Sequence, residues 1–302
     1  MMLPPAGVAL EEVRKTTDLL LRAGATIQEL NCVRKYFDDL KGGRLARAAA
    51  PAQVLALVLS DVIGDPLDVI ASGPLSPDPT TFDVAVEVLK ARDVWERLPD
   101  AVRRHMELGV LGSSEEPPKK EDPSFERVQV HVIGNNRIAA ESAVREAERR
   151  GYKTELLSIS LTGKARDVGR MLAPRAIALH RNRGGARAGF VAAGETTVTV
   201  RGNGRGGRNH ELALGAALDL AGKRGIVVGS MGTDGIDGPT DAPGAVIDGT
   251  TVHRARALGL DPLDTLARND AYTLLHAVGD LVVTGPTGTN VMDVHVVLVD
   301  FD

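Results

Sequence analysis

Three aspartates, Asp234, Asp237 and Asp241, lie close together in the glycine-rich stretch 229–245, GSMGTDGIDGPTDAPGA. The stretch follows RGIVV, an apolar run that reads as a buried strand. The carboxylates therefore sit at the carboxyl end of a strand, where open α/β sheets place their ligands. There they suit Mg²⁺, a substrate hydroxyl or proton removal. A calcium loop is excluded, because the D-x-D-x-D spacing and the distal glutamate are missing. The competing reading gives each aspartate to an Asx-turn or a helix cap.

RGNGRGGRNHELALGAALDLAG, residues 201–222, is the second chemical stretch. Gly202, Gly204 and Gly207 have G-x-G-x-x-G spacing before a helix. A dinucleotide site needs an apolar strand before the glycines and an acid about 20 residues beyond them. Here the strand is TTVTV, half polar, and the later position falls in IVV. The stretch suits an anion instead: glycines let amides approach, the helix start adds partial positive charge, and Arg205 and Arg208 add bidentate donors. A flexible basic turn ahead of a buried helix is the alternative.

TGPTGTN, 284–290, is no P-loop, nor is LTGKARD, 161–167. Thr287, Thr289 and Asn290 suit phosphate or hydroxyls, and a plain hairpin turn is equally open. In GNN, 134–136, Asn135 or Asn136 is a ligand contact or an N-cap. Asp61 follows the apolar run 54–59. The seven histidines are scattered without a metal pair at helical spacing, and His210, beside Arg208 and Asn209, is the one of interest. The single cysteine, Cys32, excludes an internal disulfide framework and reads as a small buried apolar residue.

These groups need elements to hold them. The 302 residues suffice for two domains, with 43% hydrophobic and 25% charged residues. A net charge of −4 and 3% aromatics argue against nucleic acid. No stretch is long enough to span a bilayer, and the start is not a signal peptide, so the expected location is cytoplasmic. Helical periodicity covers 8–22, 26–40 and 82–108. The polar, proline-bearing segment 112–124 reads as a linker between a domain over 1–111 and one over 125–302. In the second domain, 128–136, a helix to Gly151 and 152–160 read as a βαβ unit. A helix over 164–182, paired strands AGFVAAG and TTVTVRG, a helix over 208–221, a strand over 225–231, helix over 250–278 and two closing strands follow. Their differing polarity implies an α/β domain with a mixed sheet. The first domain holds one convincing strand, which cannot make a sheet. Either it is helical with a stray strand, or the rest of its sheet lies upstream.

The stretches ATIQELNCVRKYFDDLKGGRLA, LSDVIGDPLDVIASGP, GNNRIAA, GETTVTVRGNGRGGRNHELAL, GTDGIDGPTDAPGA and TGPTGTNVMD resemble the glycerate 2-kinases of the MOFRL type, some of which carry the label hydroxypyruvate reductase. The resemblance runs from about residue 7 to the C-terminus. It implies two α/β domains, the first Rossmann-like and here incomplete. It also implies ATP- and Mg²⁺-dependent phosphorylation of D-glycerate at its 2-hydroxyl in the cleft between them. The expected partner is that small-molecule substrate, not nucleic acid or membrane, and a homodimer is open. Arg208 would act on phosphate or carboxylate. Asp234, Asp237 and Asp241 would line the cleft, Asp234 and Asp237 toward metal, with Asp61 facing them. Gly204, Gly207, Asn209, Glu211, Asn135, Asn136, Thr287, Thr289 and Asn290 complete the expected binding set.

The family pattern also has an N-terminal lysine in a Gly-Lys context and a serine/glycine-rich phosphate loop. Neither precedes residue 1, which implies a start set downstream or a truncated product. Two other readings stand beside the kinase: an NAD(P)H-dependent hydroxypyruvate reductase, and a non-catalytic chain that keeps the ligand loops.

Overall fold

The computed structural model describes residues 2–182 and 184–300. The chain divides into two compact units, Met1–Val58 with Asp65–His131, and Leu59–Gly64 with Val132–Asp302.

The first unit is built from helices α1 (Leu10–Arg22), α2 (Ile27–Lys35), α3 (Arg44–Ala49), α4 (Phe82–Ala91) and α5 (Asp100–Val110). Thr26 caps α2 in a capping box with Glu29, whose carboxylate returns to the Thr26 amide. Leu20, Val33, Phe37, Phe82, Leu89 and Met106 form the core. Cys32 is half-buried against it, and burial pushes its thiol up. Residues 112–124, read as a linker, fall inside this unit. Their polar side chains are used locally: Arg47 pairs with Glu115 and Asp122, and the Phe82 amide donates to Glu116. The helical run 82–108 is broken at 92–99, where Asp93 has a left-handed φ of 54°.

Strands β1 (Val54–Leu59) and β2 (Val128–Gly134) pair with each other in a two-stranded sheet. The lone strand of the sequence reading therefore has a partner, one that pattern alone had assigned to the next domain. The same pairing corrects the expected βαβ unit. β2, α6 (Asn136–Arg149) and β3 (Lys153–Leu161) follow in order, but β2 and β3 belong to different sheets.

The second unit is organised by a six-stranded mixed sheet in the order β3-β4-β8-β5-β6-β7. The remaining strands are β4 (Ala188–Gly194), β5 (Ile226–Gly232), β6 (Gly244–Asp248), β7 (Leu281–Val282) and β8 (Asp293–Val299). β3 and β4 run parallel, joined through α7 (Ala165–Asn182), so this is the true strand-helix-strand crossover. All the other pairs are antiparallel. TTVTVRG forms no strand: its one ladder contact is the isolated bridge between Lys164 and Thr197. Helix over 250–278 resolves into α9 (Thr251–Ala257), α10 (Pro262–Ala267) and α11 (Ala271–Ala277).

Strand alternation divides the core. Phe190, Val228 and Val297 face α7 and α8 (Arg208–Leu220), while Val191, Ala193 and Val294 join Ala140 of α6. Covered on both faces, β4 is buried at every residue. Alanine and glycine let α8 lie very close to α7: a Cβ at Gly169 would stand 2.0 Å from the Leu212 carbonyl oxygen. That fixed helix presents its first turn to the ends of β4, β5 and β8. Among the described residues, no helix is long and apolar enough to cross a membrane.

Candidate functional site

The register of the sheet sets the site. Asp293, the first residue of β8, lies opposite Gly194 of β4 and Gly232 of β5. His295, two residues on, lies opposite Ala192 and Ser230. Alternation puts Asp293 and His295 on the same face as Val297, the face packed under α8.

Consecutive residues of the first turn of α8 grip the surrounding loops. Arg208 is bidentate on Asp293, with Nε to Oδ2 at 2.5 Å and Nη2 to Oδ1 at 3.0 Å. Asn209 donates from Nδ2 to the same carboxylate at 3.1 Å and accepts from Ser230 Oγ at 2.7 Å. Ser230 Oγ in turn lies 2.9 Å from His295 Nδ1. Burial, with the Arg208 charge nearby, holds the His295 imidazole down at about 4, so it is neutral. Burial opposes the Arg208 charge as well, but the hydrogen bonds to Asp293 outweigh it and hold the guanidinium above its ordinary range. His210 then takes the aspartate loop: its backbone amide donates to Asp237 Oδ2 at 2.9 Å and its ring Nδ1 lies 2.5 Å from the same oxygen.

The three aspartates have different surroundings. Asp237 is 2% exposed and committed to His210 rather than turned to solvent as a metal carboxylate. Asp234 is half-buried, and its Oδ1 accepts from the Ile236 amide at 3.1 Å. Asp241 is exposed and accepts from the Tyr272 hydroxyl at 2.6 Å. That hydrogen bond holds its carboxyl below the usual carboxylate range. The Arg205 guanidinium lies 4.6 Å over the Tyr272 ring centroid, which brings both chemical stretches of the sequence to one place.

The loop over 284–292 is laced to the aspartate loop. Thr287 donates from its amide to the Asp234 carbonyl at 3.1 Å and from its hydroxyl to the Thr233 carbonyl at 2.6 Å. Asn290 Oδ1 accepts from the Met292 amide, whereas the Thr289 hydroxyl has no partner among the described residues. The 284–290 segment is thus no two-residue hairpin turn.

Other expected residues serve the frame. The glycines of the G-x-G-x-x-G spacing provide close approach: a Cβ at Gly204 would stand 2.4 Å from Asp270 Cβ, and one at Gly207 would stand 2.2 Å from Asp237 Oδ1. Glu211, 2% exposed, pairs with Arg166 and accepts from Asn269 Nδ2 at 2.6 Å. Asn269 Oδ1 accepts the Arg201 and Gly202 amides, so Glu211 braces the glycine stretch through it. Asn135 is the N-cap of α6, accepting from the Ile138 amide at 2.9 Å. Buried Asn136 donates to the Ile159 carbonyl. Asp61 is exposed after β1, in the 59–64 segment of the second unit.

The first turn of α8 thus carries Arg208 and Asn209 and grips, through His210, the loop that bears Asp234, Asp237 and Asp241, to which Thr287 is tied in turn. Asp293, His295 and Ser230 were missed as site residues. A signal was present for two of them: Asp293 and His295 are polar residues two apart at the head of the otherwise apolar run DVHVVLV. Among the described residues no group of three or more His, Cys, Asp or Glu side chains could hold a metal ion by itself.

Comparison with known proteins gives concordant results. Residues 1–107 match a domain family of unknown function, DUF4147, and residues 188–293 match the MOFRL family. The D-glycerate 2-kinase of Thermotoga maritima is 44% identical over 299 residues, covering 98% of this chain and 69% of the relative. A protein of Agrobacterium vitis that carries the hydroxypyruvate reductase label is 40% identical over 305 residues, covering 99% of this chain and 67% of the relative. The crystal structure of glycerate kinase from Thermotoga maritima superposes with a TM-score of 0.89 at 43% identity, over 99% of this chain and 70% of that one.

Proposed function

Since this chain belongs to the glycerate 2-kinase family and is a kinase, we propose that it transfers the γ-phosphoryl group of ATP to the 2-hydroxyl of D-glycerate with Mg²⁺ as cofactor. The observation that carries the reading is that the helix opening with Arg208 grips, through His210 two residues on, the loop that bears Asp234, Asp237 and Asp241. Phosphoryl transfer asks a protein mainly for positioning and charge neutralisation.

The fit to the cofactor rests on the donor set. Mg²⁺ keeps several waters and takes one or two carboxylates with substrate phosphates. A single available carboxylate, Asp234, meets that requirement, and Asp237 takes the part of holding the loop through His210. When bound, Mg²⁺ neutralises the charge on the phosphate oxygens. Asp241, kept ionised by Tyr272, is the carboxylate for the substrate hydroxyl and accepts its proton as the oxygen bonds to phosphorus and ADP departs. Arg208, fixed edge-on by Asp293, presents its remaining donors to the anionic part of the substrate. Thr289 has a hydroxyl left over for the same ligand.

The reductase reading finds less support. The glycines lack a preceding strand and are spent on contacts with Asp270 and Asp237. ADP release by the purified chain with ATP, Mg²⁺ and D-glycerate, run beside NADH oxidation with hydroxypyruvate, separates the two. Glycerate-dependent ADP release that falls by at least about 10²-fold in Arg208→Ala supports the kinase and its site. NADH oxidation alone would replace it with the reductase.

A further inference from the structure

Arg208 is held by two carboxylates of opposite character. Asp293 has no exposed side-chain surface and occupies the Nε–Nη2 edge at 2.5 and 3.0 Å. Glu195 reaches a different nitrogen, Nη1, at 3.3 Å, and its side chain is 47% exposed. The backbone on which Glu195 stands is fixed: its amide donates to the Leu161 carbonyl at 2.9 Å, and a Cβ at the preceding Gly194 would lie 2.2 Å from the same oxygen. Beyond that backbone the Glu195 carboxylate has no partner but Arg208 among the described residues.

The two contacts differ in strength for physical reasons. The bidentate pair is costly to open, because it would leave fully buried Asp293 as an unpaired charge. A half-exposed, single-contact pair is weak, because solvent screens it and holding two long side chains in one geometry costs entropy. The Arg208 side chain is 31% exposed, and with fully buried Asp293 on Nε and Nη2, the Nη1 edge beside half-exposed Glu195 is the one open to anions. A substrate carboxylate or phosphate can take it with two hydrogen bonds, where Glu195 makes one contact.

We propose that Glu195 is a displaceable carboxylate. In the free enzyme it occupies the guanidinium edge that receives the anionic group of the substrate, and it is exchanged for that group on binding while Asp293 keeps hold of the other edge. Glu195 is thus an affinity-setting residue: it lowers substrate affinity by competing for the Nη1 edge, while Asp293 keeps the guanidinium in place. The inference rests on the kinase reading only for the identity of the anion, a hydroxy-acid carboxylate or a nucleotide phosphate.

Glu195→Gln tests it, since the change keeps the shape, removes the charge and lies on the surface. Initial rates are measured with D-glycerate varied at saturating ATP, and with ATP varied at saturating D-glycerate. The expected result is a KM for one substrate that falls roughly 2- to 5-fold with kcat unchanged, and the substrate whose KM moves is the one Arg208 holds. A merely structural role would not tighten binding. Unchanged or raised values of both KM, or a loss of kcat of about 10-fold or more, would overturn the proposal. If the wild-type chain shows no turnover, the kinase reading fails separately, and calorimetric titration with D-glycerate and with inorganic phosphate decides the matter. Tighter binding of either anion to Glu195→Gln, abolished in Arg208→Ala, supports displacement. Equal affinities, or no binding of either anion, would overturn it.

Discussion

His210 and Asp237 meet inside the second unit, ring Nδ1 to Oδ2 at 2.5 Å, with side chains 0% and 2% exposed. The same oxygen accepts the His210 backbone amide at 2.9 Å. One residue of α8 therefore seizes the middle of the aspartate loop by both main chain and side chain, and places Asp234 on one flank of the contact and Asp241 on the other.

Removing the carboxylate should cost stability as well as activity. Asp237→Ala leaves the His210 amide without its partner in a buried site and removes the carboxylate from the His210 ring, for a loss of about 3 kcal/mol. Urea unfolding followed by circular dichroism checks this, and a midpoint equal to that of the parent chain would refute it.

Asp234 should behave in the opposite way. Among the described residues its side chain makes one hydrogen bond, the short-range turn to the Ile236 amide. Asp234→Asn should keep the unfolding free energy within about 0.5 kcal/mol of the parent while glycerate-dependent turnover falls by roughly 10²-fold or more. Near-parental turnover would remove Asp234 from the metal-facing role.

Gly207 tests whether the glycine stretch serves packing. Its φ of −137° suits any residue, so the obstacle to alanine is the Cβ, which would stand 2.2 Å from Asp237 Oδ1 and 2.7 Å from the Asp237 backbone carbon. Gly207→Ala should therefore destabilise by about 2 kcal/mol through overpacking, measured by the same unfolding curves. Gly259→Ala meets no atom within 4 Å but has a φ of +77°, so its cost comes from backbone strain alone and should leave turnover intact.

The neutral His295 predicts a pH dependence. Its folded value, about 4, lies below the ordinary 6.5, so between those limits the unfolded chain takes up a proton that the folded chain refuses. Its contribution to stability is present in full above pH 6.5, is lost as pH falls toward about 4, and changes no further below. NMR titration of the imidazole reads this directly. A ring that titrates near 6.5 in the folded protein would contradict its burial behind Ser230 and Asn209.

Much of this was legible in the residues. The apolar run before the aspartate loop did form β5, the glycine stretch did open α8, and the resemblance pointed to the right family. What pattern could not show was pairing. β1 and β2 stand about 70 residues apart, and alternation identifies a strand without identifying its neighbour. Nor could spacing say what a glycine is for. Gly204 and Gly207 look the same whether a backbone must approach a phosphate or, as here, another part of the chain. The three aspartates were equal in sequence, and only the packing of α8 against their loop separates buried Asp237 from half-buried Asp234 and exposed Asp241. Asp293 was hidden differently: it ends a glycine-rich motif and begins a strand, and its role emerges from the register that sets it between Gly194 and Gly232.

The most direct test of the central claim is ³¹P NMR of the purified chain incubated with ATP, Mg²⁺ and D-glycerate. The account predicts that the γ-phosphate signal is replaced, only when glycerate is present, by ADP and a phosphate ester on the 2-carbon, and that Asp234→Asn stops the conversion. Persistence of ATP with glycerate, or a phosphate ester on the 3-carbon, would contradict it.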